Sequence, residues 1–125
     1  MNLPDEFTSF WSVVVHPKIQ YQVSVPSSTV CFLTNCCVDQ EFEPRPESGR
    51  VSLFAKVNDG EEVAIVPFIL NSFESTNLQI EFQESSNVIF WTSGVEIPIH
   101  ICGYLSGDFS VNITEFPPNN PQPAL

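Results

Sequence analysis

Four cysteines and two histidines are the residues of this sequence that could do nucleophilic or metal chemistry. They are Cys31, Cys36, Cys37, Cys102, His16 and His100. A cysteine and a histidine could act as a nucleophile and its base, because strands bring distant residues together. Zinc sites use recurring pairs such as Cys-x-x-Cys, and the sequence has none. We therefore predict no catalytic residues, no metal and no cofactor, and we expect free, buried thiols in a reducing compartment.

The acidic residues offer a different chemistry, which is the binding of a basic partner. Asp and Glu total 15 and Lys and Arg total 4, so the net charge is −11. An acidic surface repels nucleic-acid phosphates and attracts basic proteins, although net charge also simply keeps a small domain soluble. We predict no direct nucleic-acid binding. The candidate binding residues are Asp39, Glu41, Glu43 and Glu47 in the loop 39–49, and Asp59, Glu61 and Glu62 in the next turn.

Short β-patterned segments must position these loops. Leu78, Ile80 and Phe82 alternate with polar residues, which is typical of a strand with one wet face. Asn58-Asp59-Gly60 predicts a tight hairpin turn, because Asn and Gly tolerate a positive φ. Eight strands with turn signals between them predict an all-β sandwich or jelly roll. The strands are predicted at 10–15, 20–25, 29–38, 51–57, 62–70, 78–83, 88–91 and 97–105.

The chain length of 125 residues fits one domain with one core. We expect a flexible N-terminus at 1–9, a β domain at 10–108 and a Pro/Asn-rich tail or linker at 109–125. The first residues lack the pattern of a signal peptide, and no apolar run is long enough to span a membrane. We therefore expect an intracellular, soluble protein with no membrane partner.

Three predicted strands are apolar on both faces, at 30–33, 63–66 and 88–91. A sandwich covers only one face of each strand, so the second face needs another cover. Continuous apolar surface of this kind usually marks an oligomer interface, although scattered exposed apolar residues are also common. We therefore predict self-association. The candidate interface residues are Val88, Ile89, Phe90, Trp91 and Tyr104.

The order of these features resembles the nucleoplasmin-like domain, above all the version at the N-terminus of nuclear FKBP-type immunophilins. The resemblance begins with Phe10-Trp11-Ser12, followed by Pro17 and Tyr21. It continues through a long strand, a polar loop, a hairpin and an alternating strand. It ends with Phe90-Trp91, Gly94 and Gly103-Tyr104-Leu105. It spans about residues 10–108, and its strength lies in the order and spacing of short motifs.

The chain departs from that family at three places. Ser12 replaces the usual Gly, no acidic tract lies near Lys18-Ile19, and no long acidic run follows Asp108. The last departure would suit a fragment that ends before an acidic segment and an isomerase domain. The sequence contains nothing that resembles the isomerase domain itself.

The resemblance implies an eight-stranded jelly roll that assembles into a homopentameric ring. It also implies a nuclear histone chaperone, which binds core histones through acidic loops and shields them from DNA. Two alternatives stay open. The domain could be a purely structural oligomerisation module for an attached peptidyl-prolyl isomerase, with no histone binding of its own. It could also be an unrelated β-sandwich of the adhesion or capsid type.

Overall fold

The computed structural model describes residues 8–107 and 112–116, and all regular secondary structure in these segments is β-strand. The strands are β1 (Thr8–Val15), β2 (Gln20–Ser24), β3 (Val30–Val38), β4 (Arg50–Val57), β5 (Val63–Ile69), β6 (Ser75–Phe82), β7 (Asn87–Gly94), β8 (Ile99–Ser106) and β9 (Asn112–Phe116). This confirms the predicted all-β class. The described residues form nine strands rather than eight. The additional strand, β9, lies in the segment predicted as a tail, and β1 begins inside the predicted flexible terminus.

The strands form two antiparallel sheets that pack as a jelly-roll sandwich. The four-stranded sheet has the order β1-β8-β3-β6, and the five-stranded sheet has the order β5-β4-β7-β2-β9. Pro67 interrupts the apolar run of β5, and β5 lies at a sheet edge, where a residue without an N–H is tolerated. The edges β5 and β6 belong to different sheets and are not hydrogen-bonded to each other, so the sandwich has an open seam between them.

The core lies between the sheets and is built from alternate residues of each strand. Trp11, Phe82 and Phe90 meet at its centre, with ring centroids 6.4 Å apart for Trp11 and Phe90 and 5.9 Å apart for Phe82 and Phe90. The Trp11 indole donates a hydrogen bond of 2.9 Å from Nε1 to the backbone oxygen of Phe32. Gly103 lies beside this bond, because a Cβ there would stand 1.7 Å from the Phe32 oxygen.

The loops gather at two opposite ends of the sandwich. The end formed by the β1–β2, β3–β4, β5–β6 and β7–β8 connections is called the loop end here. It is held by backbone hydrogen bonds from Val38 N to Glu74 O and from Asp39 N to Pro98 O, of 2.8 and 2.9 Å. The β2–β3, β4–β5 and β6–β7 connections form the opposite end, called the hairpin end. The eight residues of β4 span roughly 25 Å between the two ends.

Candidate functional site

The seven acidic residues predicted to bind a partner lie at both ends of the molecule. Four lie in the β3–β4 loop at the loop end: Asp39, Glu41, Glu43 and Glu47. Three lie in the β4–β5 turn at the hairpin end: Asp59, Glu61 and Glu62. Because the ends are roughly 25 Å apart, one short segment of a partner cannot lie against both groups of residues at once.

Among the predicted site residues, Asp39 makes the most contacts through its side chain with other parts of the protein. One carboxylate oxygen accepts a hydrogen bond of 2.8 Å from the backbone N–H of Glu41, and the other lies 3.2 Å from Nε2 of His100. The bond from Glu41, with a smaller contribution from His100, lowers the pKa of the Asp39 carboxyl below its ordinary value. Asp39 therefore fixes the start of the loop, which the sequence pattern did not reveal.

The other predicted acids of the loop end are exposed, and one cation, Arg45, lies in the same loop. Glu41, Glu43 and Glu47 all face solvent. Arg45, in the same loop, forms an ion pair with Glu74 and donates a 3.0 Å hydrogen bond to the backbone oxygen of Asp39. Three of the four basic residues of the chain lie at or beside this end: Lys18, Arg45 and Arg50. Its negative charge is therefore partly balanced.

The hairpin end carries three predicted acids and has one basic residue nearby, Lys56, near the end of β4. Asp59, Glu61 and Glu62 are exposed, and none of them has an ion pair or side-chain hydrogen bond to the rest of residues 8–107 and 112–116. The turn itself is rigidly placed. Asn58 has a φ of 54°, as the predicted turn requires, and its Oδ1 accepts a 2.9 Å hydrogen bond from the backbone N–H of Asn87. The turn therefore presents free acids on a fixed support.

The predicted interface residues separate into three places. Val88 and Phe90 are fully buried in the core of the protomer, and Ile89 is also buried, so none of the three offers surface to a partner. Trp91 is half-buried on the outer face of the five-stranded sheet, where its ring stacks on Phe54 at 5.7 Å. Tyr104 is half-buried on the outer face of the other sheet. A strand that is apolar on both faces does not show which residues face inward.

Tyr104 belongs to an aromatic row on the four-stranded sheet, and the sequence prediction missed the other two members, Phe10 and Phe32. Tyr104 pairs across strands with both Phe10 and Phe32, and the Phe32 ring stacks on Tyr104 at 4.6 Å. Phe10 is 90 % exposed. The alternation of side chains along a strand could have indicated the exposure of Phe10, because Phe10 precedes the buried Trp11 and must point to the opposite face. The row is the most exposed aromatic surface among the described residues.

Two of the four cysteines are buried, and a third, Cys37, lies opposite His100 in the β3–β8 ladder. Burial raises the pKa values of Cys31 and Cys36 to about 12, so both thiols are protonated at neutral pH. His100 lies 3.2 Å from Asp39, and burial raises the pKa of its cross-strand partner Cys37, which makes that thiol a weak nucleophile. All four cysteines are free, but only Cys31 and Cys36 are buried, since Cys37 is half-buried and Cys102 is exposed.

No group of three or more His, Cys, Asp and Glu side chains that could hold a metal ion occurs in the described segments. The same segments contain no helix with the length and hydrophobicity needed to cross a membrane.

Comparison with known proteins places this fold in a family. The model of the nucleoplasmin-like domain matches residues 10–106. The structure of the Drosophila NLP core is similar with a TM-score of 0.67 and 17% sequence identity, over 77% of this chain and 96% of that one. The nucleoplasmin-like N-terminal domain of Drosophila FKBP39 is similar with a TM-score of 0.61 and 14% identity, over 86% of this chain and 98% of that one.

No curated protein matches the sequence. The two structural likenesses are below 20% identity and therefore support the fold alone. The family match extends from β1 to β8, so it includes both sheets and both groups of acidic residues. The chain therefore belongs to the nucleoplasmin-like domain family.

Proposed function

We propose that this chain is the oligomeric core of a nuclear histone chaperone, which binds core histones through acidic loops and shields them from DNA. Membership in the nucleoplasmin-like family supports this proposal. The related Drosophila NLP core was described as giving insight into pentamer formation and histone binding. The net charge of −11 makes the chain suitable for a basic client.

The observation that carries the proposal is the set of unpaired carboxylates at the hairpin end. Histones bind DNA largely by neutralising phosphates with Lys and Arg side chains. Exposed carboxylates compete for the same side chains. Asp59, Glu61 and Glu62 are available for this because no side chain of the described segments pairs with them. The acids of the loop end are weaker candidates, since Arg45 lies between Glu43 and Glu47 in the same loop.

Self-association would strengthen these weak contacts. Each exposed ion pair contributes only about 0.2–1 kcal/mol, but several copies that bind one client raise the overall affinity through avidity.

A closed ring needs two different surface patches on each copy. The outer faces that carry Trp91 and Tyr104 are two such patches. We propose that these faces, and not Val88 or Phe90, contribute the subunit contacts of a homopentamer.

Binding of purified core histones across a salt series tests the proposal, with two variants that change charge equally. The hairpin-end variant combines Asp59→Asn, Glu61→Gln and Glu62→Gln. The loop-end variant combines Glu41→Gln, Glu43→Gln and Glu47→Gln. We expect the hairpin-end variant to lose roughly tenfold in affinity and to show a flatter salt dependence. The loop-end variant should lose less, because Arg45 in the same loop offsets part of the charge of its carboxylates.

The wild-type result separates the chaperone from its main alternative. If wild-type protein assembles but retains no histone even at low salt, the chain is a structural oligomerisation module. If histones bind and neither variant weakens the binding, these acidic residues are not the site.

A further inference from the structure

A cavity of about 290 Å³ opens at the hairpin end, on the seam between the two sheets. It lies between the β4–β5 hairpin and β6. Six of its eight lining residues are aliphatic or aromatic, and the other two are Gly60 and Glu61. The apolar lining consists of Ala55, Val57, Val63, Ile65, Ile80 and Phe82.

The cavity exists because the two edge strands do not close over the core. The pairing of β4 with β5 shifts register between Leu53 and Phe54, so that Ile65 has no partner in the ladder. Val63 is left 55 % exposed and Val57 38 % exposed. Single exposed aliphatic residues are common on protein surfaces, but here they line one concave site. Clustered apolar surface of this kind usually marks a binding site.

The rim of the cavity is acidic. Glu61 lines it, and Asp59 and Glu62 lie in the same turn. The nearest basic residue in sequence is Lys56, which alternates with the cavity-lining Ala55 and Val57 and therefore points to the outer face of the sheet. An apolar floor with an unbalanced acidic rim is complementary to an apolar side chain that has cationic neighbours.

We propose that this cavity binds one aliphatic or aromatic side chain of a basic partner segment, while the rim carboxylates pair with Lys or Arg residues beside it. This inference rests on the proposed function, because that function makes the partner basic, and it adds a way to recognise particular segments of the partner. The volume is sufficient for this occupant, since an apolar cavity of about 150 Å³ already holds benzene.

Two synthetic peptides test the cavity. One places a leucine between pairs of Lys and Arg residues, and the other has serine in place of the leucine, so both carry the same charge. We expect wild-type protein at low salt to bind the leucine peptide about tenfold more tightly, since serine cannot replace the apolar contact. Fluorescence anisotropy of labelled peptides measures both affinities.

Variants of the protein test whether the preference for the leucine peptide arises in the cavity. Val63→Trp should fill the mouth, and it changes a side chain that is already 55 % exposed. In this variant the leucine peptide should bind within about twofold of the serine peptide. The matched control is Ile69→Trp on the same strand, where the side chain is 37 % exposed and does not line the cavity. The control should keep the wild-type preference, whereas Glu61→Gln should weaken both peptides equally.

Three outcomes would overturn the cavity proposal. The first is equal binding of both peptides to wild-type protein, and the second is a leucine preference that survives Val63→Trp. The third is dissociation of the assembly in Val63→Trp, which would show that a neighbouring copy occupies the cavity. Histone binding that persists in any of these cases leaves the proposed function standing, and its loss in wild-type protein would remove the proposed function separately.

Discussion

Asp39, Glu74 and Glu84 differ from the other acidic residues of the loops because each accepts a backbone hydrogen bond. Glu74 accepts one of 2.5 Å from the N–H of Asn71 and another of 2.9 Å from Nε2 of Gln40. It also pairs with Arg45. These contacts, with the Asn71 bond first, lower the pKa of Glu74 below its ordinary value of 4.5. Glu74 therefore joins the β5–β6 connection to the β3–β4 loop.

The substitution Glu74→Gln should lower the free energy of unfolding by about 1–2 kcal/mol at neutral pH, because it weakens the hydrogen bond from Asn71 and leaves Arg45 without its charged partner. The folded-state pKa is depressed, so the stabilisation is present above the ordinary value of 4.5 and is lost as the pH falls through the lower folded value. Wild type and variant should therefore converge in acid. Urea unfolding at about pH 7 and about pH 3 measures this.

A matched control for that experiment is Glu62→Gln, which removes an equal charge from an exposed side chain. It should change stability by less than about 0.5 kcal/mol at either pH. A destabilisation by Glu74→Gln of the same size at both pH values would contradict the role given to the carboxylate.

At the scale of the strands, the contact between β1, β3 and β8 depends on one small residue. A Cβ on Gly103 would lie 1.7 Å from the backbone oxygen of Phe32 and 3.0 Å from Nε1 of Trp11. The hydrogen bond between those two atoms joins β1 to β3 across β8. A side chain at this position must therefore separate the strands.

The substitution Gly103→Ala should destabilise the protein by about 2 kcal/mol or more, because the backbone of β3 has to shift. The fluorescence of Trp11 should change as well, since its indole loses a fixed partner. Cys102→Ala, at the exposed neighbouring position, is the control and should stay within about 0.5 kcal/mol of wild type. Thermal unfolding followed by fluorescence compares the two. An unchanged midpoint for Gly103→Ala would disprove the close approach.

Most strands could be predicted from the sequence because turn residues and alternation mark them. Asn58-Asp59-Gly60 predicts the hairpin that forms, and Leu78, Ile80 and Phe82 lie in β6 as their alternation indicates. Strand β9 was missed because its residues are mostly polar and exposed, so no apolar pattern distinguishes it from a tail. The burial of Val88 and Phe90 was missed because the run 88–91 is apolar at every position.

The candidate site could be predicted only in part, because the sequence shows which residues are acidic and not which partners they have in the fold. Composition and loop position identify the candidate acidic residues, but they do not show which of these carboxylates form hydrogen bonds or ion pairs within the protein. In the sequence, Asp39 looks like the other acids of its loop, such as Glu41. Its partner His100 lies far away in the chain, in β8, so the contact cannot be inferred from the sequence. The aliphatic residues of the cavity are far apart along the chain, and only the open seam between β5 and β6 brings them together.

On the scale of the whole molecule, two aromatic surfaces face outward on opposite sides of the sandwich. Phe54 and Trp91 stack on one outer face, and Phe10, Tyr104 and Phe32 form a row on the other. Aromatic residues are enriched at protein–protein interfaces. Charge concentrates elsewhere, at the loop end and the hairpin end. This separation would leave the acidic loops accessible in an assembly that covers the outer faces.

The substitution Phe10→Glu should dissociate the assembly without unfolding the protomer. Phe10 is 90 % exposed in the single chain, so the folded protomer loses little. An unpaired charge in a covered apolar contact is costly, by several kcal/mol in the worst cases. Gln83→Glu, at an exposed position near the hairpin end, adds the same charge outside the aromatic row and should leave the assembly intact. Size-exclusion chromatography measures the assembly of both variants, and circular dichroism measures their folding. An intact Phe10→Glu assembly would place the interface elsewhere.

Sedimentation equilibrium of the wild-type protein over a wide concentration range tests the central claim most directly, which is that copies of this domain cover each other's outward aromatic faces. We predict a single species with five times the mass of one chain, stable on dilution. A folded species with the mass of one chain at every concentration would contradict the proposed ring, and with it the avidity on which histone binding by these acidic turns depends.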